Sequence, residues 1–297
     1  MKDFRFWFLE TRPQFLTLSV VLAFLGTVVA WYDGFFNLWH AVLAGIGLII
    51  IHASVNIFND YFDFRSGVDL ATKRTPFSGG SGILPAGKLT PQQVLWLGIG
   101  SFLLAGAIGI YFIFVSGVML LPLLVVAGLM VILYSPLILK HPWPEWAAGA
   151  GLGALPILGL YFVQSGMYTF TAFVASIPPA FLVHNLLFLN EFPDVDADKV
   201  ASRRTMPISI GKNRSAIIFS LFTIASYVWI VVFAAIGTLP LWTLLALLSL
   251  PFGIQAIKGA FHHGSPDKFM PGMMANVIVV QLTQVLMAVG FIIAKLV

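Results

Sequence analysis

The chain is a succession of apolar runs, each about 20 residues long and closed by polar breaks. Runs of that length match the roughly 30 Å hydrocarbon core of a bilayer at 1.5 Å rise per residue. They predict about nine membrane-spanning helices, near 15–31, 38–57, 93–114, 118–139, 146–163, 170–189, 216–236, 241–257 and 273–294. Connections near 32–37, 115–117, 164–169 and 237–240 are short. Those at 58–92, 140–145, 190–215 and 258–272 form the other set. The expected fold is an all-α, polytopic membrane helix bundle, a single integral-membrane unit over residues 1–297.

Charge placement gives that bundle a direction. Every Lys and Arg except Lys295 falls in the N-terminal segment or in the second set of connections. With an odd number of spans, these share one side, and an excess of basic residues marks that side as cytoplasmic. The N-terminus and the charged loops are thus expected inside a cell membrane, and the C-terminus outside. Trp31, Trp39, Trp143, Trp146 and Trp242 sit near span ends, as interfacial anchors do. The first 15 residues carry Asp3 and Glu10 where a cleaved signal would be apolar, so the first run reads as a retained helix. Composition agrees: 59% of residues are hydrophobic and 9% charged, against roughly 25% charged in soluble domains. Mean hydropathy is +0.95. The chain has no cysteine, which excludes thiolate catalysis and Cys-bound metal. Nucleic acid is not an expected partner.

The acidic residues are concentrated. Seven of the twelve lie in two segments. The first, NIFNDYFDFRSGVD, carries Asn56, Asn59, Asp60, Asp63 and Asp69. The second, NEFPDVDADK, carries Asn190, Glu191, Asp194, Asp196 and Asp198. Asn56, Asp60 and Asp63 are spaced i, i+4, i+7, and Asn190, Asp194 and Asp198 are spaced i, i+4, i+8, so each set forms one helical stripe. Gly67 permits a turn that returns Asp69, and Pro193 is expected to kink or loosen the second helix. Asp196 points off the stripe, and Asp196 and Glu191 read as solvated or supporting groups. Each Asn-x-x-x-Asp is followed by Arg-Thr, at Arg74-Thr75 and Arg204-Thr205, and four spans separate the copies. This is a parallel repeat of four-helix units with both clusters on one face. Hard oxygen ligands without His or Cys point to Mg²⁺, which takes one or two carboxylates and fills its shell with water and phosphate oxygens. Asp60, Asp63, Asp69, Asp194 and Asp198 are the candidate metal ligands. Lys73, Arg74, Arg203, Arg204 and Lys212 are candidates for the remaining phosphate oxygens.

These motifs resemble those of the UbiA superfamily of intramembrane aromatic prenyltransferases. The run NDYFDFRSGVD, and LGALPILGLYFVQSG at 152–166, resemble its dihydroxynaphthoate (menaquinone) branch. The next acidic residue after Asp63 is Asp69 rather than position 67, a departure from the commoner spacing. The resemblance implies a nine-helix bundle, Mg²⁺, an isoprenyl diphosphate donor and an aromatic quinol-type acceptor. It also implies a reaction in which Asp60, Asp63, Asp194 and Asp198 act with Tyr134 and Lys140 beside the diphosphate. An interfacial Tyr and a topology-setting Lys are the alternative for those last two. Glu145 resembles an acidic residue of the same branch. Other acceptors, such as 4-hydroxybenzoate, a chlorophyllide-like ring or a glycerol ether, would need the same chemistry.

The remaining polar residues carry less. His52, Ser54, His184 and Asn185 read as hydrogen-bonded packing. The run SGGSGILPAG at 78–87 suits either a phosphate cradle or plain flexibility. Thr90-Pro91-Gln92-Gln93 reads as a capping box. A transporter is the competing class, but the acids lie at one face and no charge path crosses the spans.

Overall fold

The computed structural model describes residues 4–72, 74, 75 and 79–297. Among these, eight helices are long and apolar enough to cross a membrane, and a shorter ninth completes the bundle. They are α1 (Pro13–Tyr32), α2 (Leu38–Ser66), α3 (Pro91–Ser116), α4 (Val118–Leu133), α5 (Glu145–Ser165), α6 (Phe170–Val200), α7 (Lys212–Ala235), α8 (Leu241–Phe261) and α9 (Pro266–Leu296). Local chemistry sets their starts. The Asn37 side chain accepts from the His40 amide at 3.1 Å, and Thr90 and Gln93 form the expected capping box.

α6 is the central element. Two-thirds of its apolar window (67%) is buried, against 11% for α3, which leaves α3 facing lipid. α1 packs beside it, with Leu22, Leu25 and Val29 in contact with the core that holds Leu160, Tyr161, Met287 and Phe291. Without a hydrophobic drive between helices in lipid, small residues let backbones approach. Gly153 does this: a Cβ there would lie 2.6 Å from the Cα of Ala180 on α6. Gly149–Ala154 is a π-helical stretch inside α5, an irregularity often associated with functional sites.

α2 and α6 run parallel. At one end of the bundle the Asn37 amide donates to Gln164 Oε1 at 2.6 Å, while at the other Arg203, just beyond α6, reaches Asp63 on α2. Their 29 and 31 residues span about 44 and 46 Å at 1.5 Å per residue, well beyond a bilayer core of about 30 Å. The final turns of both carry the two acidic motifs.

α6 runs on as helix through Pro193 to Val200; tertiary packing on both flanks, through Phe192 and Val195, holds the turn that lacks one backbone donor. One expected boundary is corrected. α4 ends at Leu133 instead of near 139, consistent with Pro136 disfavouring helical geometry at the residue before it.

Candidate active site

Gly67 ends α2 at φ +83°, in the left-handed region that glycine adopts without strain. The chain then reverses into the short helix Val68–Ala71, bringing Asp69 back over the end of α2. The Gly80 backbone lies against both carboxylates. A Cβ on Gly80, itself at φ +69°, would sit 2.9 and 3.1 Å from the two carboxylate oxygens of Asp69 and 3.2 Å from Asp60 Oδ1. Ser81 ties this loop down. Its amide donates to Asp60 Oδ2 at 2.9 Å, and its hydroxyl donates to Glu10 Oε2 at 2.9 Å. Arg74 donates to the Gly80 carbonyl at 3.2 Å and to that of Ser81. Gly80 and Ser81 thus cover the first motif.

Two arginines neutralise the acidic stripes. Arg12, at φ +52° before α1, forms an ion pair with Asp60. Burial lowers the Arg12 pKa, while Asp63, Asp69 and Glu10 act to raise it. Arg203 bridges the motifs, donating from Nη1 to Asp198 at 2.8 Å and from Nη2 to Asp63. Burial works against the Arg203 charge, but Asp63 and Asp198 outweigh it and raise its pKa. Burial pushes Glu10 up to about 7 and Asp69 up to about 6. It also pushes the Tyr134 hydroxyl well above its ordinary value.

A cavity of about 580 Å³ opens between these motifs and runs into the bundle. Asn56, Asn59, Asp63, Asp69, Asn190, Asp194 and Asp198 line its polar end with Arg12, Arg203 and Tyr134. Leu18, Leu48, Ile108, Phe112, Leu123 and Leu160 line its apolar depth. Asn56 donates to the Thr11 carbonyl at 3.0 Å and Asn59 to Ser135 Oγ at 3.2 Å. Asp60 is buried just behind the wall. Lys140 is exposed and lines a second cleft of about 410 Å³, which shares Asp63 and Arg203 with the first. Arg204 is exposed and Lys212 half-buried, and neither lines these two cavities. Lys73 lies outside the described residues.

Other residues fall as packing. Ser19 Oγ and His52 Nδ1 are 2.8 Å apart, and His184 stacks on Phe222 with ring centroids 4.2 Å apart. Asp196 is exposed, as expected. Glu191 is a correction: it is 5% exposed and lines the cavity, because the turn of α6 that carries it packs inward beside Phe192. Arg12 and Glu10 were absent from the expected site, and their one sequence signal is charge placed directly before Pro13 and an apolar run.

The donor set suits a hard divalent ion. Asp69 Oδ2 is buried without a hydrogen-bond partner. Among the described residues no three acidic or His side chains converge to hold an ion by themselves.

The UbiA prenyltransferase family matches residues 19–276, which include both motifs. The chain belongs to that family. This prenyltransferase is 27% identical over 288 residues to the 1,4-dihydroxy-2-naphthoate octaprenyltransferase of Bacillus subtilis (strain 168), covering 96% of this chain and 91% of that one. Its fold is that of the apo UbiA homologue from Aeropyrum pernix K1, with a TM-score of 0.72 at 14% identity, covering 96% and 98% of the two chains. It also matches a UbiA homologue from Archaeoglobus fulgidus bound to DMAPP and Mg²⁺, with a TM-score of 0.64 at 14% identity over 95% and 99%.

Proposed function

We propose that this prenyltransferase moves the prenyl group of an isoprenyl diphosphate onto 1,4-dihydroxy-2-naphthoate, with Mg²⁺, at the cytoplasmic face of the cell membrane. The observation that carries the reading is the pairing of two acidic stripes at the mouth of a long apolar cavity. The acceptor follows the Bacillus relative, and the ion and donor class follow the Archaeoglobus homologue.

Asp60, Asp63, Asp69, Asp194 and Asp198 hold Mg²⁺, with Asn56, Asn59 and Asn190 beside them. Bound there, Mg²⁺ neutralises charge on the leaving diphosphate. Arg12, Arg74 and Arg203 supply further positive charge, and Arg204, Lys140 and Lys212 add it at longer range around the mouth. Tyr134, neutral and buried, donates a hydrogen bond toward the diphosphate. As the allylic C–O bond breaks, the apolar cavity keeps water from the cation. The cavity accommodates the isoprenoid tail, whose transfer out of water is favourable by about 0.8 kcal/mol per CH₂. The bilayer delivers that tail and stores the product.

The test is turnover of purified Asp60→Ala and Asp194→Ala enzyme at millimolar Mg²⁺. Each variant should lose most of its activity per correctly folded molecule, with Asp194→Ala the control for the Arg12 partner that Asp60→Ala also removes. Near wild-type rates in either would remove the metal site from the account.

A further inference from the structure

Beyond the metal and diphosphate groups, the cavity wall holds a set of buried polar atoms with no partner. They are both carboxylate oxygens of Glu191, the free Oε2 of Glu145, the Tyr134 hydroxyl and Thr205 Oγ1. Glu191, Tyr134 and Thr205 line the cavity. Glu145 (0% exposed) stands behind them, its Oε1 fixed by the Met206 amide at 2.6 Å. The Glu145 and Glu191 carboxyl groups lie within reach of a shared proton, and the pair still offers more acceptor oxygens than donors. None of the ion pairs among the described residues includes either one. A buried acceptor left without a donor costs on the order of 1–3 kcal/mol, and more when charged. Such a group calls for a donor that the protein itself does not supply.

Donor-seeking oxygens beside the reacting centre match a hydroxyl-bearing ring. We propose that Glu191, backed by Glu145, accepts a hydrogen bond from a ring hydroxyl of the aromatic acceptor, with Thr205 and Tyr134 completing the subsite. This rests on the transfer reaction proposed above and names where its acceptor binds. α6 then serves both substrates: Asp194 and Asp198 face the diphosphate, and Glu191, one turn earlier, faces the ring. A hydrogen bond from a ring hydroxyl to a carboxylate also pushes electron density into the ring, which favours its attack on an allylic cation. The subsite selects hydroxyarenes over their ethers, because an ether leaves the Glu191 carboxylate unsatisfied.

The experiment uses full-length enzyme in detergent. It measures binding of 1,4-dihydroxy-2-naphthoate and of its O-methyl ethers by intrinsic fluorescence, followed by steady-state kinetics with each substrate varied. In Glu191→Gln, whose amide oxygen still accepts but carries no charge, affinity for the dihydroxy ring should fall about five- to tenfold, the difference between a hydrogen bond to a charged and to a neutral acceptor. KM for the prenyl diphosphate should stay within about twofold. Wild-type discrimination against the ethers should shrink in the variant. Glu145→Gln, which keeps an oxygen for the Met206 amide, should show a smaller loss of the same kind and serves if Glu191→Gln does not insert. Unchanged affinity for the dihydroxy ring, equal losses for both substrates, or undiminished discrimination against the ethers would overturn the subsite alone. A wild-type enzyme that neither binds nor turns over any hydroxyarene would overturn the subsite and the proposed reaction together.

Discussion

Arg203 is the most exposing place to perturb this protein. Its guanidinium, 13% exposed, is shared by Asp63 (9%) and Asp198 (3%), which come from the two repeat units. Arg203→Ala leaves Asp198 buried without its cation and Asp63 with the Arg12 charge alone. Removing one partner of a buried pair is destabilising by about 3–5 kcal/mol. An independent bound agrees: an aspartate of ordinary pKa near 3.9 can escape by taking a proton, which at pH 7 costs about 4 kcal/mol. At pH 5 that escape costs only about 1.5 kcal/mol, so the deficit should fall to well under half. At about 2–4 °C per kcal/mol, the variant should melt about 6–20 °C below wild type at pH 7, and the gap should narrow at pH 5. The assay is thermal unfolding of detergent-purified protein by intrinsic fluorescence at both pH values. Arg203→Lys should recover part of the loss, since an ammonium lacks the fork that spans two carboxylates. A gap under a degree, or one that does not change with pH, would refute the bridge as the joint between the repeats.

Gly80→Ala should cut kcat/KM for the prenyl diphosphate by more than about tenfold, because a Cβ strikes the Asp60 and Asp69 carboxylates and the left-handed backbone is strained; Gly87→Ala, at φ +62° but with open space around it, should cost far less in the same kinetics. Glu10, with its folded pKa raised to about 7 by burial, contributes stability that is full below its unfolded value near 4.5 and is lost as pH rises toward 7. Melting temperatures of wild type and Glu10→Gln should therefore diverge in the variant's favour between pH 5 and 8, and parallel curves would contradict that assignment. Reporter fusions at Val297 and within 199–214 should read opposite sides of the membrane, and a shared side would break the nine-span arrangement.

The spans were legible because a 20-residue apolar run has few alternatives in a sequence with so little charge, and the capping box at Thr90 fixed one helix start. The acidic stripes were legible because i, i+4 spacing puts Asp60 or Asp194 on the same helical face as its neighbours wherever the helix lies. What failed to show was what tertiary contact decides. Arg203 and Arg204 are adjacent, yet one is buried in the site and the other exposed. The chain turns just before them, with Ser202 at φ +56°, and no spacing rule tells which arginine turns inward. The repeat equivalence of Arg74 and Arg204 favoured the outward one. Arg12 reaches Asp60 only through its own left-handed residue before Pro13. Glu191 sits one residue off the Asn190 stripe, a position that reads as solvated until Glu145 and Tyr134 close over it.

The central claim is that the paired motifs serve prenyl transfer to a dihydroxynaphthoate. The most direct measurement is a panel assay of the purified full-length protein in lipid nanodiscs. Prenyl diphosphates of several lengths are paired with 1,4-dihydroxy-2-naphthoate, 4-hydroxybenzoate and a glycerol ether, with Mg²⁺ or with EDTA, and products are read by mass spectrometry alongside pyrophosphate release. The account predicts a prenylated naphthoate-derived product with matching pyrophosphate, present with Mg²⁺ and absent with EDTA. Product from another acceptor only, or undiminished transfer in EDTA, would contradict it.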